Sequence, residues 1–112
     1  MAKVIITPAL EEEIDKTFKH ESIEIFSLLC TLKDNPKKGK EVGCIGDVVI
    51  KEIKYKKFRF YFITDGYKIK FLKIEELNDI IIKFVRMSQK KDQKETIEQI
   101  KNVLRKLGKE GF

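Results

Sequence analysis

Lys54, Arg59 and Arg86 are the residues of this chain best suited to chemistry. They fall in strand-like stretches: Ile50-Lys51-Glu52-Ile53-Lys54, then Lys57-Phe58-Arg59-Phe60-Tyr61-Phe62, then Phe84-Val85-Arg86-Met87-Ser88-Gln89-Lys90. Cations on neighbouring strands form a rigid positive surface, suited to an RNA phosphate or the phosphorane formed when one is attacked. Arginine holds two phosphate oxygens at once through its planar fork. Lysine supplies a point charge and, where cations crowd it, a general base, for which Lys54 is the candidate. No metal cluster, nucleotide loop or Ser-His-Asp set competes with these residues.

Charge narrows the partner list. The formal charge is +6 and the isoelectric point about 9.3, which favours nucleic acid or an acidic protein. Residues 51–59 hold Lys51, Lys54, Lys56, Lys57 and Arg59 against Glu52 alone. A solvated edge strand would also carry such lysines, since they block strand-to-strand aggregation. Glu52 reads as a salt-bridge partner for Arg59 or Lys54. Cys30 and Cys44 lack paired spacing, so Cys30 reads as a small buried hydrophobe. His20, the only histidine, reads as part of an exposed connector.

The 112 residues predict one domain, and 42% hydrophobic with 38% charged residues is a globular composition. The apolar runs are too short to span a bilayer, and the first residues read as a strand rather than a leader. The expected location is therefore the cytoplasm.

The elements follow from spacing. Val4, Ile5 and Ile6 predict a first strand. Thr7-Pro8 predicts a helix start, and Leu10, Ile14 and Phe18 its buried stripe. A second helix is expected over 22–33, facing inward through Ile25, Leu28, Leu29 and Leu32 and stopped by Asp34-Asn35-Pro36. Lys37-Lys38-Gly39-Lys40 reads as a basic turn. From Val48 the period becomes two, with Phe58, Phe60 and Phe62 on one side and Lys57, Arg59 and Tyr61 on the other. Asp65-Gly66 predicts a hairpin, with a returning strand over 67–72. Residues 79–86 predict a central strand, and 93–107 a final helix stopped by Gly108. The order β-α-α-β-β-β-β-α predicts an α+β fold with helices against one face of a mostly antiparallel sheet.

Three of these segments in series resemble the RelE/ParE toxin superfamily, in its HigB-like, phage-protein-like branch. Leu32-Lys33-Asp34-Asn35-Pro36-Lys37-Lys38-Gly39 is similar to that branch's L-x-x-N-P-x-x-G segment. The pair at 50–54 and 58–62 is similar to its L-Y-E-L-R and Y-R-x-x-Y-F strands. Residues 84–90 resemble F-x-K-K-x-x-K ahead of an amphipathic helix. The chain departs from the pattern at Met87, where a second lysine is usual, and at Asp92, where a proline would open the last helix. Its 67–78 segment is longer, and no tyrosine follows Tyr67.

The resemblance implies a single RelE/ParE-like domain with an N-terminal strand and helical hairpin on the sheet, closed by a C-terminal helix. It implies a type II toxin that cleaves messenger RNA on the ribosome and is held by an acidic, partly disordered antitoxin. In that role Lys54 and Arg59 would bind the scissile phosphate and Arg86 would clamp the leaving oxygen. Lys51, Lys57, Tyr61 and Lys90 would contact flanking RNA. Neither cofactor nor metal is expected, because the ribose supplies its own nucleophile. The alternative is a catalytically degenerate relative that serves as a basic protein- or nucleic-acid-binding module.

Overall fold

Thr7 and Pro8 divide the first strand from the first helix. The Thr7 hydroxyl accepts from the Leu10 amide, and Pro8 takes the first helical position, where a missing N–H costs nothing. The computed structural model describes residues 1–112, with β1 (Lys3–Ile6) running into α1 (Pro8–Phe18). A 3-10 turn, Lys19–Glu21, leads to α2 (Ser22–Cys30), and another, Thr31–Lys33, closes it. The two helices form the expected hairpin and bury Leu10, Ile14, Ile25 and Leu29 in one cluster.

Four further strands follow: β2 (Lys40–Ile45), β3 (Val48–Tyr55), β4 (Phe58–Asp65) and β5 (Ile81–Gln89). They join one sheet in the order β1-β5-β4-β3-β2. Only β1 and β5 run parallel; the other pairs are antiparallel. The fold class is α+β, built on a five-stranded mixed sheet. No helix is long and apolar enough to cross a membrane.

Two elements differ from expectation. Residues 40–45 are a strand rather than the tail of a basic turn. They pair with β3 across Gly46-Asp47, where Gly46 has φ +56°, a left-handed conformation that glycine adopts without penalty. The expected hairpin at Asp65-Gly66 is instead a helix start. Asp65 accepts from the Lys68 amide and caps α3 (Gly66–Phe71), so the returning strand is absent. Gly66 serves close approach there: a Cβ would lie 2.7 Å from Val49 Cγ2 and 3.0 Å from the Asp47 carbonyl.

Helices cover both faces of the sheet, not one. Phe60, Phe62, Ile82 and Phe84 pack under α1, α2 and α3. Ile50, Tyr61, Ile63 and Val85 pack under α4 (Gln93–Leu107), through Ile100 and Leu104. The cause lies in β4, whose inner run is apolar at consecutive positions, so both of its faces need cover.

Candidate nucleic-acid interface

β3 and β4 meet at a two-residue turn, Lys56-Lys57, and their last pairs bring Lys54 directly opposite Arg59. Lys56 takes φ +54° to close that turn. Its ammonium, with the Tyr55 hydroxyl, holds the Glu21 carboxylate at 3.1 and 2.8 Å. Those two bonds keep Glu21 below the usual carboxylate range, the Tyr55 bond contributing most. The turn is thereby tied to the helical hairpin.

Beside it opens a cleft of about 450 Å³ lined by Lys40, Glu52, Lys54, Arg59, Lys90 and Gln93. The lining comes from four segments of the chain, Glu52 and Lys54 sharing β3. Lys40 begins β2 opposite Glu52, Lys90 follows β5, and Gln93 opens α4. The Lys90 amide donates to the Lys57 carbonyl at 3.0 Å, which fastens the start of α4 to the β3–β4 turn.

None of the four cations has an ion-pair partner; every salt bridge of the chain lies elsewhere. Glu52 accepts from Gln93 Nε2 at 2.7 Å rather than bridging Arg59 or Lys54, which corrects its expected role. Arg59 is 6% exposed, and its Nη1 donates to the Phe58 carbonyl at 3.1 Å and to the Lys56 carbonyl at 3.5 Å. Its Nε and Nη2 N–H groups have no protein partner, yet no buried polar side-chain atom is unsatisfied. Those N–H groups therefore reach solvent. Arg59 is a fixed fork and Lys54 a free arm.

The other sequence candidates lie apart from this cleft. Arg86 Nη1 donates to the Val85 carbonyl, and its guanidinium sits 5.0 Å from the centre of the Phe112 ring. A bulge explains the displacement: Tyr61 faces Arg86 and Phe62 faces Phe84, which leaves Val85 as an extra residue. Lys51 is 7% exposed and belongs to the opposite face, where its ammonium donates to the Lys37 carbonyl at 2.8 Å and lies above Phe62. Burial pushes its pKa down, against the pull of Glu41. Tyr61 is 0% exposed with its hydroxyl 2.8 Å from Ser88 Oγ, so it has no face to offer a base. Burial raises its pKa. Lys57 is exposed on the turn, outside the cleft.

Sequence reasoning missed Lys40 and Gln93. A signal for Lys40 existed, since Gly-Asp between two apolar stretches marks a hairpin and makes the preceding residues a strand. Gln93 gave none, being one polar residue among many at the head of a polar helix.

No family model matches the chain, and neither a curated protein nor a solved structure matches it.

Proposed function

We propose that the chain is a toxin of the RelE/ParE superfamily, of its HigB-like branch, cutting messenger RNA on the ribosome in the cytoplasm. One observation carries the reading: four cations without ion-pair partners converge on a cleft whose single carboxylate is engaged by Gln93. Unpaired cations held together repel one another, an arrangement that a bound polyanion relieves. The strand, helical hairpin and largely antiparallel sheet also agree with the architecture that the resemblance implies.

In this reading the ribose 2′-oxygen attacks the adjacent phosphorus, and the bond to the 5′-oxygen breaks. A 2′,3′-cyclic phosphate and a free 5′-hydroxyl result. The free N–H groups of Arg59 meet the charge that grows on the phosphorane oxygens. Lys54, acting from its amine form, takes the 2′-hydroxyl proton, and the Lys90 ammonium, in the role expected of Arg86, gives one to the departing 5′-oxygen. Lys40 holds the adjacent backbone. An acidic antitoxin would cover the same cleft and balance its charge.

A second reading, a basic binding module without catalysis, is favoured by the placement of Arg86 on Phe112, outside the cleft. The deciding experiment maps mRNA breaks by primer extension in a translating extract, comparing the native chain with Arg59→Ala. Breaks that require translating ribosomes and are lost in the variant support the toxin. Intact mRNA with both proteins supports the binding module.

A further inference from the structure

The outer edge of β5 is covered for only part of its length. β1 pairs with it from Lys3–Ile81 to Ile6–Phe84, and a last bond joins the Thr7 amide to the Phe84 carbonyl. Pro8 then turns the chain into α1. β5 continues to Gln89 with β4 on one side and no strand on the other. Because the Lys90 amide turns inward to Lys57, alternation along the strand turns the backbone groups of Met87 and Gln89 outward. The Gln89 carbonyl accepts from Ser88 Oγ. The Met87 amide and carbonyl and the Gln89 amide are left facing a slot.

That slot is about 410 Å³, floored by Met87, Ser88 and Gln89 and walled by α1 on one side and the start of α4 on the other. Its walls carry Glu13, Asp92 and Glu95, none of them in an ion pair, and no lysine or arginine lines it. In a chain of net charge +6 this is a local reversal of sign. Glu13 is held above the usual carboxylate range by burial, against the pull of Arg86.

We propose that this slot takes an extended segment of a partner protein, with lysine or arginine at alternate positions, as a sixth strand beside residues 87–89. Two independent features select such a guest. Unpaired strand-edge groups bind a peptide backbone in any sequence, and side-chain contacts then choose among peptides. Here those contacts are three free carboxylates, which attract alternate cations and repel an acidic strand. The docking does not depend on the ribonuclease reading, because the slot shares no lining residue with the cleft.

The test titrates the nitrogen-labelled full chain with a blocked Lys-Val-Lys-Val-Lys peptide and follows the backbone amides. Saturable shifts and slowed exchange at Met87 and Gln89 are expected, weakened about tenfold by Glu95→Lys. Glu95 is exposed, so that variant folds; Glu13→Gln gives a milder second reading. The same peptide N-methylated at alternate residues keeps its charge and should lose binding. Equal binding of the N-methylated or the Glu-Val-Glu-Val-Glu peptide overturns the proposal, as does the absence of shifts at millimolar peptide. Concentration-dependent protection of Met87 and Gln89 in the chain alone would assign the slot to a second copy and also overturn it.

Discussion

The cleft and the slot lie on either side of one 3-10 turn, Lys90–Asp92, and carry opposite charge. Lys90 and Gln93 serve the cleft; Asp92 and Glu95 serve the slot. The two sites are also built from different materials. The cleft is assembled from side chains of four separate segments over a closed part of the sheet. The slot is an unfinished sheet edge, whose recognition begins with the backbone. A polar stretch of a few residues can thus partition two partners of opposite sign, provided that a tight turn sends successive side chains in different directions.

The largest expected effect breaks the cleft alone. Reversing Lys54 and Lys90 to glutamate should lower affinity for single-stranded RNA about a hundredfold, measured by fluorescence anisotropy at moderate salt. Binding of the basic peptide should stay unchanged or strengthen. A parallel loss at both sites would show that one surface serves both.

Next comes a pair of variants on one strand. Lys54→Met should reduce the slope of log affinity against log salt by about 0.7, as loss of one phosphate contact on a single strand does. Lys51→Met, on the opposite face, should leave that slope unaltered. It should alter stability at alkaline pH instead. Burial depresses the Lys51 pKa below 10.5, so in the interval just under that value the unfolded chain binds more protons than the folded one. Stability from this group therefore rises with pH through the interval, and the methionine variant should lack the rise in denaturant titrations.

A smaller effect belongs to the slot. Glu13 is raised above 4.5, so just above that pH the folded chain holds the extra proton. Its contribution to stability falls as pH rises through the window, while its attraction for a cationic peptide grows. Peptide affinity should increase across the same window, with Asp92 of the 3-10 turn, Glu95 of α4 and Arg86 of β5 as the other charges facing it. Calorimetric titration at several pH values reads this directly, and Glu13→Gln should flatten the Glu13 part of the trend.

The smallest effect concerns the turn beneath the cleft. Glu21 is lowered by Tyr55 and Lys56, so its contribution is present above 4.5 and is lost as pH falls through its folded value. In Glu21→Gln that acid step should disappear from the thermal melts. RNA affinity should drop slightly as the Lys56 turn loosens.

Much of the scaffold was legible in local patterns. Thr7-Pro8 marked a strand end and a helix start together, and the Phe60–Phe62 alternation identified the face beneath α1 and α2. Local signals failed where one dipeptide has two uses. Asp65-Gly66 suits a hairpin or a helix cap, and the choice was made by Asp47 and Val49, far away in sequence. β2 was blurred because its register shifts between Glu41 and Gly43, which spoils the alternation and leaves Gly46-Asp47 as its one local signal. Within the site, Lys54, Arg59 and Arg86 were expected together as cations on neighbouring strands, and the Lys56-Lys57 turn does pair the first two. Arg86 is displaced, because a bulge at Val85 adds a residue that no periodicity reveals. Tyr61 was expected among exposed cations, yet α4 lies over that stretch of sheet and buries it.

The parallel pairing of β1 with β5 has a consequence for how the molecule comes into being. Lys3 must find Ile81, across most of the chain, whereas β2, β3 and β4 meet through two tight turns. Closing so long a loop costs entropy before any contact repays it, so the near-neighbour meander forms first and the amino-terminal strand docks late. During synthesis the first strand leaves the ribosome long before its neighbour exists. Until β5 emerges, the helical hairpin has no finished sheet to settle upon, and the nascent protein passes a vulnerable interval with its largest apolar cluster uncovered.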